Sequence, residues 1–388
     1  MSLLAPPLSL YIHMPWCVKK CPYCDFNSHG LRSEPPPYAS YVDHLLADLD
    51  ADRRDFAVAL ADRPIISIFF GGGTPSLFSP DLIARLLDGV RERLPLAVDA
   101  EITLETNPGT VEHGRFDSYL AAGVNRISFG VQSFDDDKLK RLGRIHSAGE
   151  AEAAVKSAQD AGYSNINLDL MYALPQQTLE GSLADVERAV TLQPAHISHY
   201  QLTLEPNTTF AANPPPLPDD DHAWAMQEAC EARLASAGYA QYEISAYARP
   251  GRRCKHNLNY WRFGDYLGIG AGAHGKLSDP HSGQVHRRWK TRLPRAYLDA
   301  AGSTARIGGN SVVSAGELPF EYMLNALRLI DGVPISDFTQ RTGLPARHIA
   351  AAIDAAQRRG WLELDPARLH TTPLGQRFLN DVIASFMD

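Results

Sequence analysis

The sequence predicts an α/β protein, a partial (β/α)6 barrel followed by a small, mostly helical, winged-helix-like C-terminal domain. Three observations predict it. Six short β-rich runs alternate with helix-like stretches up to residue 204, the residues suited to chemistry cluster where those runs end, and the pattern turns helical from about residue 305. Strands alternating with helices form βαβ units and hence a parallel sheet with right-handed crossovers. About six repeats make a barrel or part of one, with the active site at the C-terminal ends of the strands.

The first run spans 8–13, and three clustered cysteines follow it. A helical stretch at 38–56 leads to the second run, 65–70, which ends in the turn Gly71-Gly72-Gly73-Thr74-Pro75. After a helical stretch at 80–93 the third run, 101–105, closes on Glu105-Thr106-Asn107-Pro108. The fourth, 126–131, is followed at once by Gln132. Helical stretches at 147–161 and 183–192 flank the fifth, 165–171, which carries Asp169, and the sixth covers 196–204.

A polyproline-like break at 213–218 precedes a helical stretch at 219–236. The segment 242–273 is rich in aromatics and glycine. Beyond it, 317–329, 335–342 and 345–359 read as helices, 361–364 and the chain to 372 as a short hairpin, and 374–386 as a last helix. The chain thus divides into a barrel over 1–235, an extension completing it over 236–304, and a C-terminal domain over 305–388. No internal repeat of 20–50 residues stands out beyond the βα alternation.

At 388 residues, 44% hydrophobic and 21% charged, the composition is that of a globular protein with a substantial core. A net charge of −8 argues against a general nucleic-acid or anionic-membrane binder, which needs a basic face. The start of the chain has no basic segment, and no apolar stretch is long enough to span a bilayer. A cytoplasmic location is the expectation.

Of five cysteines, three lie within eight residues: Cys17, Cys21 and Cys24, spaced C-x₃-C-x₂-C. Clustered thiols in such a chain point to metal or redox chemistry rather than to a disulfide framework. Thiolates suit iron–sulfur clusters and zinc. Structural zinc wants four ligands, usually as two close pairs, and no fourth cysteine is near. A cubane on three thiolates leaves one iron open to a small molecule. The alternatives are zinc completed by His13 or His29, and plain burial. Cys230 and Cys254 stand apart and read as packing residues.

The run Tyr11-Ile12-His13-Met14-Pro15-Trp16-Cys17, continued by Cys21-Pro22-Tyr23-Cys24, resembles the opening of the radical S-adenosylmethionine (SAM) proteins. The resemblance covers nearly the whole chain. It is nearest the branch holding the oxygen-independent coproporphyrinogen III oxidases and the HemW-type haem chaperones. It implies an oxygen-sensitive [4Fe–4S] cluster on the three cysteines, SAM on the open iron, and an electron donor for the cluster. In the family, reductive cleavage of SAM yields a 5′-deoxyadenosyl radical.

On this resemblance Gly72, Gly73 and Thr74 match the turn beside the SAM amino group; alone, the glycines would read as a tight turn. The turn lacks the Gly-Lys-Ser/Thr ending of a phosphate loop. Glu105 ends a strand where a buried carboxylate needs a cationic or hydroxyl-bearing partner. Gln132 offers an amide, Arg144 a bidentate fork for a carboxylate, and Asp169 an acid in an apolar strand. Each of these, with Tyr11 and the backbone of Tyr23, matches the family's SAM contacts. His274 reads as structural or as lining the adenine end.

The oxidases carry a fourth cysteine two residues after the third and a long N-terminal extension. Phe26 occupies that position here, and Cys17 lies close to the start. Fold likeness does not fix function. The segment His256-Asn257-Leu258-Asn259-Tyr260-Trp261 resembles the H-N-x-x-Y-W motif of the haem chaperones. A histidine can ligate haem iron and aromatic rings can cover the macrocycle, so His256 is the expected haem ligand; its alternative is a packed, hydrogen-bonded core residue.

The resemblance therefore implies a haem chaperone that passes haem to an acceptor, such as a respiratory, membrane-associated protein, through transient docking. The cluster and SAM would gate transfer or assembly state, and a homodimer is compatible. The competing expectation is radical chemistry on a tetrapyrrole, specifically coproporphyrinogen III decarboxylation. Nucleic-acid binding by the C-terminal domain, which Arg341, Arg347, Arg358 and Arg359 would permit, is not expected in so acidic a chain.

Overall fold

The computed structural model describes residues 3–31, 34–109, 116–300 and 302–387. Apolar runs form its centre because parallel strands covered on both faces bury nearly every side chain. Strands β1 (Leu8–Met14), β2 (Ile65–Gly72), β3 (Leu96–Thr106), β4 (Arg126–Gln132), β5 (Ile166–Tyr172) and β6 (His196–Gln201) lie side by side in chain order, all parallel. These are the six expected runs, and they build the parallel sheet of the α/β fold that the sequence predicts as a partial barrel.

The helices between them start where their caps place them. Ser79 accepts from the Leu82 N–H ahead of Pro80–Arg93, with Pro80 preset for the first turn. Ser147 and Glu150 form a reciprocal capping box on Ala148–Asp160, and Thr178 caps Leu179–Thr191. Leu86, Leu87 and Val90 of the first helix, and Val155 of the second, pack into the main core with Ile68, Phe70, Leu104 and Phe129.

The sheet grows well past six strands. Asp265–Ile269 (β9) adds a seventh parallel strand on the far side of β1. Three antiparallel strands follow it, β10 (His274–Asp279), β11 (Gln284–Lys290) and β12 (Ile307–Val312), the last of them beyond residue 305. At the opposite edge β6 pairs antiparallel with Ala246–Ala248 (β8), which pairs with Ala240–Glu243 (β7). An ionic cluster ties the outer strands to helix Tyr38–Asp55. Lys290 Nζ donates to Asp48 Oδ1 at 2.5 Å and Asp52 Oδ2 at 2.7 Å, and Arg306 Nε reaches Asp48 Oδ1 at 2.9 Å.

The C-terminal residues pack a second core around Tyr322, Met323, Phe338, Ile349 and Val382, which Phe263 and Leu3 join from the sheet side. The expected hairpin is reduced to one bridge, Leu362 to Thr371, while Val333–Pro334 pairs with Arg368–Leu369. Gly332, at φ +62°, permits this crossing, since a Cβ there would strike the Leu369 carbonyl. The expected last helix is two, Pro373–Arg377 and Leu379–Ala384, broken where Phe378 leaves helical geometry. Among the described residues no helix is long and apolar enough to cross a membrane.

Candidate functional site

The C-terminal ends of the parallel strands open into a cavity of about 350 Å³. Cys17, Cys21 and Cys24 line one wall, and Gly72, Gly73, Thr74, Glu105, Gln132, Arg144 and Asp169 line the rest with Tyr23. Every one of these was a sequence-level candidate, and strand-end geometry brings them together across some 150 residues of chain.

The cysteine loop is fastened at its ends. The short pair Trp16–Cys17 and His29–Gly30 closes it, with Leu31 N–H donating to the Cys17 carbonyl at 2.8 Å. Within it, Cys24 N–H donates to the Cys21 carbonyl, and the Cys24 thiol lies 3.6 Å from Ser28 Oγ. Burial pushes the Cys17 thiol up, opposed by hydrogen bonds with Thr74 and Ser28; a bound metal would remove that proton outright. Arg144 Nη1 donates toward Cys21 Sγ at 3.5 Å and Nη2 to the Gly130 carbonyl at 2.6 Å. Its Nε, though buried, has no partner among the described residues.

Gly72 and Gly73 allow the turn after β2 to press on the cysteine loop. Gly73 N–H donates to Met14 O and Thr74 N–H to Trp16 O, both at 2.7 Å. A Cβ on Gly73 would collide with the Trp16 carbonyl, and one on Gly72, at φ +111°, would sit 2.5 Å from the His13 ring. Glu105 accepts from the Gly72 N–H at 3.2 Å. Desolvation and then the nearby Asp169 push its carboxyl up to about 8, against the Gly72 bond and the buried Arg126. Burial raises Asp169 as well, opposed by hydrogen bonds from Asn167, Ser198 and Ser128 and by Arg126. Two crowded carboxylates facing one cavity favour a ligand that brings positive charge or hydroxyl donors.

Gln132 has a left-handed backbone, φ +73°, beside a register shift between β4 and β5. Bulges of this kind re-aim a side chain, and here Gln132 Oε1 accepts from Tyr200 at 2.9 Å. Tyr200, with Ser198 and Ser245, belongs to the wall but escaped the sequence reading; its place at the end of β6 was the available signal. Arg328 also reaches the wall, from the C-terminal domain. It pairs with Glu243 at 3.2 Å and lies over the Trp261 ring at 4.3 Å, a placement that no local pattern encodes.

Tyr11 lies elsewhere. It lines a second cavity, which shares Gly72, Glu105 and Phe26 with the first. His256, the expected haem ligand, faces neither. It is 1% exposed, with Nδ1 3.0 Å from Ser67 Oγ, Nε2 3.0 Å from Tyr260 Oη, and its ring stacked on Phe69. Desolvation and then Arg126 depress its pKa to about 3. Its motif neighbours do reach the cavities, Asn257 and Trp261 the first and Tyr260 the second. Cys230 and Cys254 are buried away from the site, against Ser182 and Glu101.

The donor set fits the implied groups. Three soft thiols on one wall suit an iron–sulfur cluster, and close backbone edges, an under-bonded guanidinium and two raised carboxyls suit a zwitterionic, hydroxyl-bearing ligand beside it.

Residues 11–188 match the model of the Radical SAM superfamily, and residues 313–378 that of the HemN C-terminal domain. Heme chaperone HemW of Escherichia coli (strain K12) is 52% identical over 383 residues, covering 98% of each chain. Heme chaperone HemW of Haemophilus influenzae is 50% identical over 382 residues, again covering 98% of each. Among solved structures, coproporphyrinogen III oxidase (HemN) from Escherichia coli superposes with a TM-score of 0.82 at 23% identity, over 99% of this chain and 90% of that one. That last likeness is one of fold.

Proposed function

The chain belongs to the radical SAM superfamily and, within it, to the HemW family, and from that premise we propose that it binds haem and passes it to an acceptor protein. The observation that carries the proposal is the 52% identity with a heme chaperone over 98% of both chains. The oxidase shares the fold at 23% identity, too little to carry its activity across. Phe26, 60% exposed on the cavity wall, supports the same choice, since it stands where the oxidases have a further cysteine.

In this reading Cys17, Cys21 and Cys24 hold a [4Fe–4S] cluster. Gly72, Gly73, Thr74, Glu105, Gln132, Arg144 and Asp169, with the Tyr23 backbone, hold SAM, and Tyr11 lies just behind Glu105. When bound, the cluster and SAM supply one-electron chemistry. The chain's own part is to hold and orient them: Arg144 steadies Cys21 and presents its free Nε to a carboxylate, while Glu105 and Asp169 receive cationic or hydroxyl groups. The acceptor is respiratory and membrane-associated, reached by transient docking from the cytoplasm. A separate donor reduces the cluster, and the active species is compatible with a homodimer. We assign the barrel to 1–235 and the C-terminal domain to the residues after β12, because β12 pairs with β11 in the main sheet and so extends the 236–304 segment past its expected end at 304.

The test is a pair of anaerobic titrations of cluster-reconstituted protein, one with haem and one with coproporphyrinogen III. Saturable haem binding without decarboxylated product is the expected result. Steady decarboxylation with matching 5′-deoxyadenosine would replace the proposal with the oxidase reading.

A further inference from the structure

Behind Gly72 and Glu105 the second cavity opens to about 740 Å³, within the range of roughly 300–1,000 Å³ usual for ligand pockets. Four aromatic rings, Phe26, Tyr260, Tyr266 and Trp289, line it together with the carboxyls of Asp25 and Glu105, and the exposed His274 and Arg292 complete the lining. We propose that this cavity is the haem seat, with His274 as the axial ligand and Arg292 as the partner of a macrocycle carboxylate. The inference rests on the haem-binding reading above and adds the site to it.

Three histidines compete for the role of ligand, and their surroundings separate them. His256 is buried off the wall with both ring nitrogens engaged. His13 is on the wall, but its Nδ1 meets Tyr11 Oη at 3.0 Å and its Nε2 the Asn27 carbonyl at 2.9 Å. His274 is exposed, and among the described residues nothing hydrogen-bonds its ring. It stands opposite Trp289 across β10 and β11, the rings 6.1 Å apart and 20° from parallel. Burial, then Arg287 and Arg292, lower its pKa, which favours the neutral imidazole whose lone pair a metal needs.

The platform around it is built to stay in place. Gly309 lies against the Trp289 indole, where any Cβ would collide with the ring. Asn27 Nδ2 donates to Ala271 O at 2.9 Å and Arg292 O at 2.8 Å, so one side chain fastens the cysteine loop to the segments carrying His274 and Arg292. Arg292 makes no ion pair among the described residues, which leaves its fork free for a carboxylate. The helix Lys255–Trp261, which carries the H-N-x-x-Y-W motif, gains a physical role as well. Tyr260 faces the cavity, and His256, bonded to its hydroxyl, is the positioning residue behind it.

The test is resonance Raman and optical spectroscopy of the full-length, cluster-reconstituted protein with ferrous and ferric haem. His274→Ala is expected to weaken haem binding about tenfold or more, the scale for losing a determinant of metal affinity, and to abolish the ferrous iron–histidine band. Added imidazole should restore that band in His274→Gly. His256→Gln should keep it, while iron content and SAM binding stay at the parental level in all three variants. An unchanged band and affinity in His274→Ala would overturn the assignment while leaving haem binding intact. Loss of the band in His256→Gln alone would move the ligand to His256. A parental protein that binds no haem would overturn the haem-chaperone reading and this site with it.

Discussion

Burial decides what the histidines of this protein do. His256 and His199 are both inside, with pKa values depressed to about 3 and about 4 by desolvation, for His256 with Arg126 adding to it. Unfolded, each would titrate near 6.5. Between the two values the unfolded chain binds protons that the folded one refuses. The stability present above about 6.5 is therefore lost as pH falls toward 4, by up to about 1.4 kcal/mol per pH unit for each histidine. Urea midpoints should drop between pH 7 and pH 5, and His256→Gln should make that drop shallower. Glu105 acts in the opposite sense. Its value, raised to about 8, means stability is lost as pH rises toward 8, and Glu105→Gln should flatten that side. The three clustered cysteines were plain in the sequence because their spacing is itself the chemistry. The inward turn of His256 stood in the sequence only as an alternative, because it depends on Ser67 of β2 meeting a histidine that Tyr260 holds from the same helix.

At the level of elements, the turn after β2 is the most constrained joint. Gly72 holds φ +111° against the His13 ring, and the next peptide bonds to the chain before Cys17. Gly72→Ala should cost about 1–3 kcal/mol of stability, the scale of a forced backbone conformation, and weaken SAM binding; thermal unfolding and SAM titration of one sample check both. Strands β1, β2 and β5 were legible as largely apolar runs, whereas β6, His196-Ile197-Ser198-His199-Tyr200-Gln201, was legible only by its place in the strand–helix alternation. Strands β10 and β11 were hidden for a physical reason. They carry Lys276, Arg287, Arg288 and Lys290; the charge of Lys276 is buried because Asp265 on the preceding strand neutralises it, and that of Lys290 because Asp48 and Asp52 do so from a distant part of the chain. Such strands show no apolar alternation to read. Likewise Phe378 divides the last helix with no glycine or proline to announce it.

Across the whole molecule, the ionic cluster of Asp48, Asp52, Lys290 and Arg306 joins the barrel's first helix to the added strands, and Arg328 joins the C-terminal domain to the cysteine cavity. Lys290 is 1% exposed, so Lys290→Met would leave Asp48 and Asp52 to Arg306 and Arg288 alone and should cost less than the roughly 3–5 kcal/mol of a buried charge with no partner, read as a lowered urea midpoint. The second cavity adjoins the first through Phe26, Gly72 and Glu105, an arrangement invisible in any local segment. In the proposed function both cavities serve delivery of haem, with the cluster and SAM in support. Its most direct test is anaerobic: charge the cluster- and SAM-loaded protein with one equivalent of haem, add the haem-free form of a b-type respiratory protein, and follow the acceptor's absorption alongside 5′-deoxyadenosine. Haem is expected to appear on the acceptor faster than from free haem, and this acceleration to be lost in Cys21→Ala. Haem that stays on the donor, or reaches the acceptor no faster than free haem does, would contradict it.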